Sequence, residues 1–401
     1  MARISSRIGA IAPSATLIVD SKAKALKAAG RPVIGFGAGE PDFPTPAHIV
    51  DAAREALNDP KNFRYSPASG LPELKQAIAD KTLRDSGVKI DPSQVLITNG
   101  GKQAVYEAFA TVIDDGDDVL IPAPYWTTYP ECIRLAGGNP IEVFAGSDQD
   151  YKVSVEQLEA AYTPATKALI FVSPSNPTGA VYSKEILLEI AELARKHGLI
   201  IYADEIYDKI LYDGAVHHHI AALAPDLLTI TFNGLSKAYR VAGFRQGWMV
   251  LNGPKHHAQG YIEGLDMLAS MRLCATTPMQ HAIQTALGGY QSINELILPG
   301  GRLLEQRNKA YELITQIPGI SCVKPMGAMY MFPKIDTEMY NIHDDMKFVY
   351  DLLVQEKVLL VHGTGFNWVK PDHFRIVTLA YSHQIEEAIG KLERFLKHYR
   401  Q

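Results

Sequence analysis

Short, almost unbroken apolar runs recur along the chain and alternate with stretches in which apolar residues return every three or four positions. VLIT from Val95, VLIPA from Val119, ALIFV from Ala168, LIIYA from Leu199 and LLTITF from Leu227 are runs of strand length. Runs that lack a polar face belong to strands buried on both sides. Helical periodicity fills the intervals at 46–58, after Pro72, at 101–113, at 184–197, from about 257 to 289, and around 295–316 after Pro299-Gly300-Gly301. Strands alternating with helices predict an α/β architecture with a mainly parallel central sheet flanked by helices.

The pattern changes near residue 300. Beyond it, short strands (ISCVKPMGAMYMFPKI, VLLVHG, FRIVTLA) and helices at 344–356 and 383–399 predict a smaller α+β domain. The expected division is an N-terminal arm and helix at 1–30, a large domain at 46–300, and a small domain made of 31–45 with 301–401. The length of 401 residues agrees, because single cores stop growing at roughly 250–300 residues.

Composition changes the picture mainly by exclusion. A net charge of -5 with no clustered basic run argues against a nucleic-acid partner. Cys132, Cys274 and Cys322 are far apart with no Cys-x-x-Cys pair, which argues against a disulfide framework and a thiolate metal site. Pro13, Ser14 and Thr16 interrupt the apolar run IGAIAPSATLIV, and no stretch approaches the ~20 residues of a membrane span. The expectation is a cytoplasmic protein acting on small molecules, with no membrane partner. His217–His219 are read as a solvated loop and no metal is expected, since consecutive side chains do not converge on one ion.

The candidate chemistry collects at strand ends. Asn176, Asp204, Tyr207 and Lys237 each follow an apolar run, where active groups of parallel sheets gather. A lysine in an apolar, small-residue setting suits carbonyl chemistry, and Arg245, eight positions on, suits an anion. Gly101 and Lys102 open a helix whose first N–H groups point at an anion. Tyr125 and Trp126 offer flat faces to a planar heterocycle. Gly39 lies in a Gly- and Pro-rich loop, GAGEPDFPTP, where backbone approaches a ligand closely.

Taken together, GAGEPDF, YSPASGLPELK, NPTG, ADEIYDKI, GLSKAYRVAGFRQGW and FRIVTLA resemble the class I aminotransferases, the fold type I enzymes that use pyridoxal 5′-phosphate. The resemblance covers essentially the whole chain. It implies that Lys237 holds the cofactor covalently and, once displaced, shuttles a proton at the substrate Cα. It also implies that Asp204 pairs with the pyridine nitrogen, while Tyr207 and Asn176 bond the phenolic oxygen. Ser236, Arg245, Gly101 and Lys102 would bind the phosphate, with Tyr65 reaching it from the second subunit of a homodimer. Trp126 would stack on the ring, and Arg375 would clamp the substrate carboxylate with Asn176 and the Gly39 backbone.

The resemblance divides along the chain. Up to about residue 182 it is similar to bacterial aspartate aminotransferases, some of which accept prephenate. From there to about 379 it is similar to bacterial alanine aminotransferases, so the chain reads as a mosaic that is chimeric, ancestral or naturally intermediate. Ala12 stands about where prephenate-competent relatives carry a basic residue, which argues against that substrate. The expected reaction is ping-pong transamination of aspartate or alanine with 2-oxoglutarate and glutamate. A pyridoxal-phosphate β-lyase of a sulfur amino acid is the alternative.

Overall fold

The computed structural model describes residues 4–12 and 15–401. After the helix Ala15–Ala28 comes the short strand β1 (Ile34–Gly35), and then seven strands that build one sheet. These are β2 (Val95–Asn99), β3 (Asp118–Ala123), β4 (Asn139–Phe144), β5 (Thr166–Val172), β6 (Ile200–Asp204), β7 (Thr229–Gly234) and β8 (Gln246–Asn252). Their spatial order is β2-β8-β7-β6-β5-β3-β4. β3 to β7 run parallel, while β8 is antiparallel to both neighbours.

β8 was not among the expected strands. All seven of its residues are buried, so QGWMVLN carries no alternation to betray it. The chain also turns back after β7 without a crossover helix, which forces the antiparallel direction.

Local chemistry sets the helix limits. Helix Pro72–Ser86 has its proline in the first turn and stops at Gly87, whose φ of 76° is left-handed. Helix Lys184–His197 is capped by Ser183, whose hydroxyl accepts the Ile186 N–H, and Arg195, Lys196 and His197 face the negative end of its dipole. The expected helix at 257–289 is two, Lys255–Arg272 and Thr277–Gly288, broken where Leu273 takes a φ of 65°. Around 295–316 the chain forms a turn of helix at Asn294–Ile297 and then Arg302–Ile314, with Pro299-Gly300-Gly301 between them.

The C-terminal third supplies β9 (Ile320–Ser321), β10 (Tyr330–Met331), β11 (Lys334–Ile335), β12 (Val358–Leu359), β13 (Val361–His362) and β14 (Phe374–Val377). β14 lies between β10 and β13, and β1 runs parallel to β12. The last helix, Ser382–His398, buries Ile385, Ala388, Ile389, Leu392, Phe395 and Leu396, the three-and-four spacing of one helical face. That face packs in a core with Ala310, Ile314, Phe348 and Leu352, joined by Ala23, Val33 and Phe36 from near the N-terminus. A second, larger core covers β2, β3 and β5–β8, and a third lies between the outer strands and helix Lys184–His197. Among the described residues no helix is long and apolar enough to cross a membrane.

Candidate active site

The carboxyl ends of the parallel strands open onto a cavity of about 670 Å³. Of the thirteen residues proposed from sequence, eleven line it: Gly39, Gly101, Lys102, Trp126, Asn176, Asp204, Tyr207, Ser236, Lys237, Arg245 and Arg375. Each of these stands on or a few residues past a strand end, apart from Gly101 and Lys102, which open the helix Gly101–Val112, Arg245, which immediately precedes β8, and Arg375, which enters from β14. Tyr125 does not line the cavity: it is buried in the core, its hydroxyl donating to Glu142 Oε1 at 3.0 Å. Tyr65 stands outside the cavity, 81% exposed, in a shallow groove with Cys274 and Thr276.

One end of the cavity is cationic. Gly100 has a φ of 84°, and a Cβ there would collide with the Arg245 guanidinium. Glycine is needed for both the turn and the approach. Gly247 on β8 likewise packs flat against Gly100 and Gly101. Arg245 is fixed by Nη1 donating to Ala242 O (2.9 Å) and Nη2 donating to Asn99 O (3.2 Å). Burial lowers the Lys102 pKa, and the charges of Arg245 and Lys237 lower it further. Lys102 Nζ rests 5.0 Å from the centroid of Trp126. Three cations beside the first, unpaired N–H groups of a helix form a receptor for an anion of more than one charge.

The other side is a buried acid. Asp204 Oδ2 accepts the Tyr129 hydroxyl at 2.7 Å and Oδ1 accepts the Ile206 N–H at 3.1 Å. Burial pushes its pKa up to about 6 in spite of those bonds. A cation, or a protonated ring nitrogen, placed against it would relieve that cost. Tyr207 shares a 2.7 Å hydrogen bond with Tyr330, and burial followed by Tyr330 drives its pKa well above the usual phenol value.

Lys237 Nζ donates to Gly39 O at 2.6 Å, tying the lysine to the loop after β1. A Cβ on Gly39 would strike the Tyr330 hydroxyl, so that approach also requires glycine. Arg375 is buried. Its Nη1 donates to Asn176 Oδ1 (2.9 Å), its Nη2 to Gly37 O (2.6 Å), and the guanidinium lies over Tyr330 and Phe366 at 4.9 and 4.6 Å. Among the described residues no carboxylate pairs with it and its Nε has no partner, and burial lowers its pKa. A buried guanidinium in that condition calls for a carboxylate from outside.

Tyr129, Tyr330 and Phe366 were not singled out from sequence. Tyr129 sits within a helix and Tyr330 on a two-residue strand, and both read as core aromatics until their hydroxyl partners are known. One expectation is corrected. His217 and His219 are not solvated: their side chains are 5% and 16% exposed and face the buried carboxylate of Glu205. The segment before helix Ile220–Leu223 is extended, so alternate residues share a face, and Glu205 reaches that face from the end of β6.

The family model for aminotransferase class I and II matches residues 31–392. A glutamate-pyruvate aminotransferase, AlaA, of Haemophilus influenzae is 59% identical over 387 residues, covering 96% of this chain and 95% of the relative. The crystal structure of an Escherichia coli aminotransferase superposes with a TM-score of 0.97 at 51% identity, covering all of both chains. The alanine aminotransferase of Pyrococcus furiosus gives 0.93 at 36% identity, covering 98% of this chain and all of the other.

Proposed function

The chain belongs to the class I and II aminotransferases, a pyridoxal-phosphate-dependent family, and we propose that its pairs are alanine with pyruvate and glutamate with 2-oxoglutarate. The observation that carries the reading is the unpaired, buried Arg375 facing the same cavity as Lys237 and Asp204. The substrate pair follows the relatives, the H. influenzae protein above all. It is supported by the distribution of charge. Among the described cavity residues, Lys102, Lys237 and Arg245 are electrostatic neighbours at the anion end. That leaves Arg375 as the guanidinium for the carboxylate beside the reacting carbon, which suffices for alanine and pyruvate, while the glutamate half of the pairing rests on the relatives.

The residues present fit pyridoxal phosphate. The Gly100–Lys102 turn with Ser236 and Arg245 would receive its phosphate, Asp204 its ring nitrogen, Tyr207 and Asn176 its phenolic oxygen, and Trp126 one ring face. When bound, the group supplies an electron sink for negative charge at the substrate Cα. Everything else falls to the chain. Asp204 holds a proton on the ring nitrogen, because a buried carboxylate is stabilised by a cation beside it. Lys237 is the covalent anchor and, once freed, the base that takes the Cα proton and returns it to the cofactor's C4′. Arg375, steadied by Asn176, orients the substrate so that this proton faces the lysine. Tyr330 and Phe366 cover the guanidinium and keep water from it.

Tyr65, exposed and outside its own chain's cavity, would reach the phosphate of a second copy, which makes the active unit a homodimer. The division proposed is an arm and helix at 1–30, a large domain at 46–300 and a small domain of 31–45 with 301–401, and the cavity takes residues from both domains, Lys237 from the large and Arg375 from the small.

Single-turnover spectroscopy of the cofactor-loaded enzyme tests the reading, with alanine, glutamate, aspartate and cysteine offered separately. Alanine and glutamate should aminate the cofactor fastest, and pyruvate or 2-oxoglutarate should reverse the change. Faster reaction with aspartate would move the substrate assignment to that donor. Ammonia and pyruvate released from cysteine without an oxo acid would support the β-lyase instead.

A further inference from the structure

Outside the cavity, Glu205, His217 and His219 bring one carboxylate and two imidazoles together at the back of β6. Their ligating atoms all lie within 4.8 Å of one another. His219 Nδ1 is 2.6 Å from Glu205 Oε2, and His217 Nε2 is 3.5 Å from the same oxygen. The two rings meet edge to face with centroids 4.5 Å apart.

His217 is what makes the cluster more than an ion pair. Its side chain is 5% exposed, its Nδ1 has no hydrogen-bond partner, and its Nε2 meets Glu205 Oε2 at 3.5 Å without hydrogen-bond geometry. A buried imidazole held this loosely costs free energy that a ligand would remove. The carboxylate that faces both rings is itself buried, its side chain 3% exposed, and a buried charge needs a counter-charge at close range.

We propose that Glu205, His217 and His219 form a binding site for Zn²⁺ or another divalent transition ion of similar softness. Two imidazoles and a carboxylate are a zinc ligand set, with water in the fourth position. Ligand atoms of tetrahedral zinc stand roughly 3.3 Å apart, so the observed cluster reaches that geometry by side-chain movements of about 1 Å. The half-open edge at His219, 16% exposed, gives the ion and its water a way in.

The site is a clip and not part of the transamination chemistry. Glu205 N donates to Phe232 O (3.0 Å), and Glu205 O accepts Asn233 Nδ2 (3.1 Å), which lines the cavity. An ion on Glu205 therefore fastens the 217–219 segment to the ends of β6 and β7. The inference stands independently of which amino acid the enzyme prefers.

The test uses chelator-treated, cofactor-loaded enzyme titrated calorimetrically with Zn²⁺ and by visible absorption with Co²⁺. The expected result is one ion per chain, the intense bands of four-coordinate Co²⁺, and a melting temperature that rises with Zn²⁺. The variant H217Q keeps the Glu205–His219 contact and removes one ligand. It should weaken the ion by more than the roughly tenfold to 100-fold typical of changes one shell further out. Absence of stoichiometric uptake, equal affinity in H217Q, or a six-coordinate Co²⁺ spectrum overturns the proposal. If H217Q does not accumulate, the wild-type stoichiometry and Co²⁺ spectrum decide.

Discussion

Replacing Asp204 with asparagine should stabilise the cofactor-free enzyme while disabling the loaded one. The Asp204 pKa rises from 3.8 to about 6 on folding because the carboxylate is buried. Two pH units correspond to ~3 kcal/mol of preference for the protonated form. Since the folded value lies above the unfolded one, the folded chain keeps a proton that the unfolded chain has released between those two values. This contribution to stability is fully present below the unfolded value, is lost as pH rises through about 6, and is then constant.

Asparagine never charges, so D204N escapes the loss. It still accepts the Ile206 N–H, but it leaves the Tyr129 hydroxyl without its carboxylate, which returns about 1 kcal/mol. The net gain above neutral pH is about 1–2 kcal/mol, or about 1–2 °C in melting temperature for a chain this long. Calorimetric melts of cofactor-free wild type and D204N across the mildly acidic to mildly alkaline range measure it. The gap between them should open as pH rises through about 6 and reverse in acid, where D204N keeps only the cost of the lost Tyr129 hydrogen bond. With pyridoxal phosphate bound the order reverses, because the ring nitrogen has lost its anion. Turnover should fall roughly 10²- to 10³-fold, the scale of one broken buried charge pair. A gap that does not change with pH, or a cofactor-free D204N that melts below wild type at mildly alkaline pH, would refute the argument.

R375A should lower kcat/KM for every amino acid donor by roughly 10²- to 10³-fold, with R375K between, since lysine offers one point of charge where the guanidinium offers two donors. Steady-state kinetics with an amine lacking the carboxylate is the control, and a loss there as large would show that Arg375 acts on the fold. G100A places a Cβ in a left-handed turn and against Arg245. Its cofactor affinity should drop about tenfold or more by equilibrium dialysis, and unchanged affinity would remove the turn from the phosphate site. Mixing Y65A with K237A should give hybrids more active than either parent, because one site in the hybrid has both residues. No recovery would mean that Tyr65 does not serve a partner's site.

Much of the fold was legible because parallel strands buried on both faces are written as apolar runs, and the residues just after them face the cavity. Asn176, Asp204 and Lys237 were found that way. The method failed where burial removes contrast: β8 is apolar or buried throughout and has no period, and Tyr129 looks like any aromatic of a helix. It failed again where partners are distant in kind and not only in sequence. Glu205 follows Asp204 on the strand and so points to the opposite face, where the returning segment brings His217 and His219. Nothing in the local pattern says that the loop comes back to that face. The motif resemblance supplied the roles of residues such as Arg375, whose strand alone reads as an ordinary buried one.

The position of β8 bears on how the enzyme is made. β2, which ends at the phosphate cradle, lies at the sheet's edge and has β8 as its neighbour, a strand about 150 residues further on. While the chain is being synthesised, β2 therefore has no mate until residue 252 has left the ribosome. Until then its apolar edge is a place for wrong pairing. Lys237 and Arg245 lie just before β8 and emerge with it, so the residues proposed to anchor the cofactor and the strand that closes the sheet reach the folding chain together. Chains truncated ahead of β8 are the ones expected to aggregate.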